Sequence, residues 1–130
     1  ARVDALMAQF WPGPLTLVLP AHPQLPEFLR GPNGTIAVRH SPAPVVQALL
    51  KLGGKPLIGT SANRSGQPSC RSAEAVAEQL GDHLDLLVEA DSASETRPST
   101  LLRWEGKSFE ILREGALAAS IVTAFLEEVE

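Results

Sequence analysis

Lys55-Pro-Leu-Ile-Gly-Thr-Ser-Ala-Asn-Arg-Ser-Gly-Gln-Pro-Ser69 opens with a short apolar run and then changes character. The apolar run predicts a buried strand. Beyond it come hydroxyls, an amide and glycines, which pack poorly but suit an anion. Hydroxyls donate to phosphate or carboxylate oxygens, and glycines let backbone N–H groups approach closely. Arg64 adds charge. Ser72-Ala-Glu74 then reads as a helix start, with the helix N-terminus directed toward the loop. A polar strand-to-helix turn with no ligand is the alternative, because such loops are common in α/β sheets.

On either side of this transition, strands and helices alternate. Residues 3–10 place Val3, Leu6, Met7 and Phe10 on one helical face. Trp11-Pro-Gly-Pro14 breaks that helix, and Leu15-Thr-Leu-Val-Leu19 reads as a strand. A short helical piece is expected at 27–30 and a turn at 31–34. Thr35-Ile-Ala-Val-Arg39 is the next strand. Ser41 and Pro42 read as a helix cap and first turn, Val45, Val46, Leu49 and Leu50 as its buried stripe, and Gly53-Gly54 as its end. Residues 72–80 predict a helix with Ala73, Val76, Ala77 and Leu80 inward. Residues 84–88 and 100–104 predict strands, 105–107 a tight turn and 109–113 the return strand of a hairpin. Residues 116–129 close as a helix with Val122, Phe125, Leu126 and Val129 packed. This pattern predicts an α/β fold: a twisted mixed β-sheet with helices packed on it, in a single domain. No Gly-x-Gly-x-x-Gly or Walker-type motif is present.

Composition bounds the function. The chain has 130 residues, 44% apolar and 20% charged, which suits one domain with a real core. A net charge of −4 argues against a general polyanion-binding surface but leaves room for a local basic pocket. One cysteine, Cys70, excludes a disulfide framework within the chain and fits a reducing compartment. No apolar run reaches membrane-spanning length, so a cytoplasmic location and no membrane partner are expected. His22, His40 and His83 lie far apart in sequence and Cys70 lacks ligand spacing, so no protein-bound metal cage is expected. Ser61 lacks a Gly-x-Ser-x-Gly elbow.

The remaining candidates are polar residues at strand ends. Thr35 and Arg39 bracket one strand at a spacing that lets both face the same side. Ser61 and Asn63 leave the next, Ser99 and Thr100 open another, and Arg113 closes the hairpin. Arginines, hydroxyls and an amide converging on a sheet would recognise phosphate and carboxylate together. Surface ion pairs of Arg39 and Arg113 among the acidic residues are the alternative.

Phe10-Trp-Pro-Gly-Pro-Leu-Thr-Leu-Val18, Thr35-Ile-Ala-Val-Arg39, Pro56-Leu-Ile-Gly-Thr-Ser-Ala-Asn-Arg-Ser-Gly66, Pro98-Ser-Thr100 and Ile111-Leu-Arg-Glu-Gly115 occur in this order. Together they resemble the YrdC-like threonylcarbamoyl-adenylate synthase family over nearly the whole chain. The resemblance implies an enzyme that makes threonylcarbamoyl-AMP and pyrophosphate from L-threonine, bicarbonate and ATP. That reaction serves N6-threonylcarbamoyladenosine formation in tRNA. It implies no catalytic nucleophile: Arg39, Ser61 and Ser99 would hold threonine and the carbamate, and Thr35, Asn63, Arg71 and Arg113 would face ATP. Mg²⁺ would arrive with ATP, and tRNA or the proteins that transfer the group to it are the implied partners.

Two departures qualify the resemblance. The family's Pro-Thr-x-Thr-x-Tyr-Gly-like loop and Lys-x-Arg-x-x-x-Lys-Pro motif have no match here. Residues 1–130 therefore read as the C-terminal two-thirds of a YrdC-like domain without the N-terminal phosphate-binding segment, and poor or no activity is expected of the chain alone. The family's Arg-x-Pro-x-His-Pro is Arg39-His-Ser-Pro-Ala-Pro44 here, so His40 is assigned no role. A YrdC-like domain of a hydrogenase-maturation carbamoyltransferase is the nearest alternative. A non-catalytic RNA-binding domain is a second, opposed by the acidic charge and few aromatics.

Overall fold

The computed structural model describes residues 2–89 and 97–129, which fall into two compact units. The first comprises Ala1–Pro42 with Glu95–Glu130, and the second Ala43–Ser94.

The first unit is built on a mixed four-stranded sheet. Its strands are β1 (Leu15–Pro20), β2 (Thr35–Val38), β3 (Thr100–Trp104) and β4 (Phe109–Arg113), in the order β2-β1-β3-β4. β1 and β3 run parallel, and β2 and β4 pair antiparallel on the outside. Leu15 pairs with Thr100 and Leu17 with Leu102, so alternate residues of both central strands share one face. That face is covered by α1 (Arg2–Phe10) and α4 (Ala119–Glu128). Leu6, Leu15, Leu17, Leu102 and Val122 are all at 0% exposure and form the core. Phe10 and Phe125 meet edge to face at 5.3 Å, and Trp104 lies against Phe109 at 4.5 Å. The helical spacings expected for α1 and α4 are therefore the packed ones.

The register places the start of β1, the start of β3, the end of β2 and the end of β4 at one end of the sheet. This end is tightly cross-tied. Gly13 N–H donates to His40 O at 2.9 Å, and Thr100 N–H donates to Pro14 O at 2.9 Å. Trp11 Nε1 donates to Leu15 O at 2.7 Å. The Trp11–Pro14 turn thus clips the end of β2 and the start of β3 to the head of β1.

The second unit contains α2 (Pro44–Gly53) and α3 (Ala73–Leu80), the latter followed by a 3₁₀ turn at Gly81–His83. Several expectations need correction here. The cap of α2 is Ala43 with Pro44 in the first turn, not Ser41 and Pro42: proline is pre-set for the first helical turn, and this chain has one at 44 as well as at 42. The α2 C-terminus falls as expected, with Gly54 left-handed at φ 61° and its N–H on Leu50 O. Leu49 is 40% exposed rather than buried, and in α3 Ala75 is half-buried while Ala77 is exposed.

Residues 56–60 and 84–88 form no strand, and Leu57, Ile58, Leu86 and Val88 stand exposed. Their composition suits strands, but a strand exists only through a ladder with a neighbour. Among the described residues all ladder pairing lies within β1–β4, apart from an isolated Gly31–Thr35 bridge.

Candidate functional site

Side chains of β1 alternate across the sheet, so Thr16 and Val18 project from the face opposite to that of Leu15 and Leu17. By the same register Ala37 of β2 and Leu101 and Arg103 of β3 share that second face. At its cross-tied end Arg113 bonds the backbone of Ser99, and Arg39 follows the end of β2, the outer strand on the other side of β1.

Arg39 leaves the end of β2, and its Nε donates to Gly13 O at 2.9 Å. Ser99 directly precedes β3 and is only 8% exposed. Its hydroxyl lies 2.7 Å from Thr16 Oγ1, and its carbonyl accepts from Arg113 Nε at 3.3 Å and Nη2 at 3.0 Å. Arg113 reaches this position through an irregularity in the β3–β4 ladder. Leu102 pairs with Ile111 but Leu101 pairs with Arg113, so β4 carries one extra residue. Such a bulge re-aims the side chains beyond it. Both guanidinium bonds lie on one edge, so the outer edge keeps its own N–H donors.

The neighbouring backbone is equally fixed. Thr100 is fully buried, donates its hydroxyl to Leu117 O and accepts from Gly115 N–H at 2.9 Å. Ala116 N–H donates to Pro98 O at 2.8 Å. Gly115 passes so close that a Cβ there would lie 2.1 Å from Pro98 O and 2.5 Å from Ser99 C. Ser99 is therefore held through its hydroxyl, its carbonyl and both chain neighbours. Such a preorganised hydroxyl beside Arg113 suits an anion of fixed shape.

Thr35 lies elsewhere. It begins β2 whereas Arg39 follows its end, so the two are roughly 13 Å apart at about 3.3 Å per residue. Sharing a face does not bring them to one point. Thr35 Oγ1 donates to Pro32 O at 2.8 Å, closing the Pro32–Gly34 turn. It also lines a cavity of about 530 Å³ with Val18, Ala37, Leu112, Arg103 and Trp104. Arg103 there is engaged by the carboxylates of Glu110 and Glu105, the latter at 3.2 Å. The two ends of this face thus differ in charge: arginines and a serine at one, a carboxylate-neutralised arginine above an apolar floor at the other.

Ser61, Asn63 and Arg71 belong to the second unit, where Ser61 and Arg71 are exposed and Asn63 is half-buried. Their loop is closed by its own backbone. Asn63 N–H donates to Ser61 O at 3.2 Å, and Cys70 N–H to Ala62 O at 2.8 Å. Asn63 Nδ2 donates to Arg64 O at 3.0 Å. Arg64 is spent on α3: its Nε donates to Gln79 O at 2.6 Å, a cation on the last turn of a helix. The N-terminus of α3 is likewise satisfied locally. Ser72 Oγ accepts from Ala75 N–H at 3.2 Å. Glu74's own backbone N–H, then the Ser72 hydroxyl, hold its carboxyl below the usual range. The α3 N-terminus is thus compensated by its own residues rather than left for a loop-bound anion. Among the described residues no group of three or more His, Cys, Asp or Glu gathers as a metal site.

Thr16 and Gly115 escaped the sequence reading as site residues. Thr16 carried a faint signal, a hydroxyl on the opposite side of β1 from its leucines, but its partner is 83 residues away.

The fold is an α/β one built on a mixed sheet with helices packed on it, and the comparisons with known proteins agree on that fold. The model of the Sua5/YciO/YrdC family, described as telomere recombination, matches residues 1–115. The chain belongs to this family. A threonylcarbamoyl-AMP synthase of Vibrio cholerae is 44% identical over 105 residues, covering 81% of this chain and 55% of the relative. The crystal structure of P. abyssi Sua5 complexed with L-threonine superposes with a TM-score of 0.88 at 32% identity, covering 95% of this chain and 36% of that one. E. coli YciO gives a TM-score of 0.75 at 26% identity, covering 85% of this chain and 54% of that one. The chain spans about half the length of the curated relatives it matches. Among the described residues, no helix is long and apolar enough to cross a membrane.

Proposed function

We propose that this chain is part of an L-threonylcarbamoyladenylate synthase that forms threonylcarbamoyl-AMP and pyrophosphate from L-threonine, bicarbonate and ATP. The observation that carries the reading is Ser99, fixed by Thr16 and bonded by Arg113, at the sheet end that Arg39 also borders. A solved relative of the same fold is complexed with L-threonine, and several relatives are threonylcarbamoyl-AMP synthases.

Bicarbonate loses water to give carbon dioxide, which the deprotonated threonine amine captures as a carbamate with release of a proton. A carbamate oxygen attacks the α-phosphorus of ATP, and the bond to the β-phosphate bridging oxygen breaks to release pyrophosphate. No covalent enzyme intermediate is needed, so catalysis is orientation plus neutralisation of charge. Arg39 takes the threonine carboxylate, the anion a planar guanidinium fits best. Ser99 holds the carbamate end. Arg113 turns the outer edge of its guanidinium to the nucleotide, and Thr35 takes the nucleoside end at its cavity. Ser61 is assigned to threonine, and Asn63 and Arg71 to ATP, on their motif positions alone. Mg²⁺ enters on the ATP phosphates and is held by them rather than by a protein cage. The product is handed on for N6-threonylcarbamoyladenosine formation in tRNA, in the cytoplasm.

The test is pyrophosphate release from ATP by the full-length protein that contains this chain, with threonine and bicarbonate each omitted in turn. Release that needs both supports the synthase. Release that needs carbamoyl phosphate instead would favour the carbamoyltransferase reading. Tight, steeply salt-dependent RNA binding without nucleotide turnover would favour a binding domain.

A further inference from the structure

The geometry points to Thr16 as a positioning residue for the anion held by Ser99. This inference rests on the assignment of Ser99 to the threonine carbamate. Thr16 stands on β1, on the same face as Ser99, with its Oγ1 2.7 Å from Ser99 Oγ. Each hydroxyl owns one proton, so one of the two must donate. A carboxylate or carbamate is an acceptor only, and Ser99 can bind it strongly only by donating its proton to it. Thr16 must then donate to Ser99.

The surroundings favour that arrangement. The carbonyl of Ser99, which its own hydroxyl could otherwise reach, is occupied by Arg113 Nε and Nη2 at 3.3 and 3.0 Å. The carbonyl before it accepts from Ala116 N–H at 2.8 Å. With the Ser99 carbonyl doubly engaged, Thr16 Oγ1–H to Ser99 Oγ, and Ser99 Oγ–H to the anion, form one directed chain in which each bond polarises the next. Thr16 itself need not touch substrate. Its place in a parallel strand pair, opposite Leu101, keeps its hydroxyl in register with Ser99.

The experiment is calorimetric titration of L-threonine, in buffer with saturating bicarbonate so that its carbamate forms, into the full-length protein that contains this chain, with ATP as a separate titration. Thr16→Val keeps the shape and the strand preference but removes the proton, and is expected to weaken threonine about five- to tenfold. Thr16→Ser is expected to restore affinity to within about twofold, because it returns the hydroxyl. ATP affinity stays unchanged in both, which loss of fold would not allow. In a Ser99→Ala background Thr16→Val adds no further loss, since the chain is already broken. Wild-type threonine affinity in Thr16→Val, no rescue by Thr16→Ser, or an additive loss in the double variant would each overturn the assignment of Thr16. Wild-type affinity in Ser99→Ala alone would instead overturn the role of Ser99, and that of Thr16 with it.

Discussion

Substituting Gly115 by alanine tests how firmly the sheet end is held. The added Cβ would lie 2.1 Å from Pro98 O, 2.5 Å from Ser99 C and 2.6 Å from Ser99 O. All three are backbone atoms, so no side chain can swing away and the two segments must part. Parting strains the packing, at about 1–3 kcal/mol for an overpacked site. It also pulls on the Gly115 N–H to Thr100 Oγ1 bond of 2.9 Å and the Ala116 N–H to Pro98 O bond of 2.8 Å. Each is worth about 1 kcal/mol net. The sum is a loss of roughly 3–5 kcal/mol. At about 3–5 °C per kcal/mol for a domain of this size, Tm falls by on the order of 10–20 °C. Urea denaturation monitored by circular dichroism reads the free energy directly. Gly53→Ala is the internal control. Nothing lies within 4 Å of a Cβ there and the residue is helical, so the same substitution is expected to stabilise by about 0.5–1 kcal/mol. A Gly115→Ala protein within about 1 kcal/mol of wild type would refute the close approach on which the placement of Ser99 depends.

Leu102→Ala, at a core position of 0% exposure, is expected to cost about 2–5 kcal/mol by urea denaturation, and a loss below about 1 would place Leu102 outside the core. Arg113→Ala should raise the KM for ATP several-fold with the far-ultraviolet circular dichroism unchanged, and unaltered kinetics in ATP would remove Arg113 from the site. Ser72→Ala removes the α3 cap and is expected to cost about 1 kcal/mol of the stability of that unit. Glu74 has a depressed pKa, so its contribution is present above the ordinary value of 4.5 and lost as pH falls through the folded value. Glu74→Gln should therefore flatten the acid limb of the stability curve, and an unchanged limb would refute the local hydrogen bonding.

The sheet of the first unit was legible because its signals are local. Leu15 and Leu17 alternate with Thr16 and Val18, and Glu105-Gly106-Lys107 announces the hairpin that Glu105 N–H closes on Ser108 O at 2.9 Å. The spacing of Leu6, Phe10, Val122 and Phe125 gave the two covering helices before any partner was known. Residues 56–60 and 84–88 misled for the converse reason: their composition is that of strands, but a strand's existence depends on a neighbour that composition does not contain. The site was half legible. Arg39, Ser99 and Arg113 carried motif signals and lie at one end of the sheet, where Arg113 bonds Ser99. Thr35 carried one too, yet the length of β2 sets it at the far end of the face. The Thr16–Ser99 bond spans 83 residues and the β4 bulge depends on cross-strand register, so neither leaves a mark at its own position. Arg64 looked like an anion ligand by composition, and it is taken by Gln79 on α3.

The central claim is the proposal that this sheet end serves adenylyl transfer from ATP to the threonine carbamate. It is tested most directly by mass spectrometry of the product formed from ATP, L-threonine and isotopically labelled bicarbonate on the full-length protein that contains this chain. The account predicts an adenylate carrying threonine and the bicarbonate carbon, with its yield sharply reduced in Arg39→Ala. An adenylate of threonine without the labelled carbon, or a labelled product formed equally well by Arg39→Ala, would contradict it.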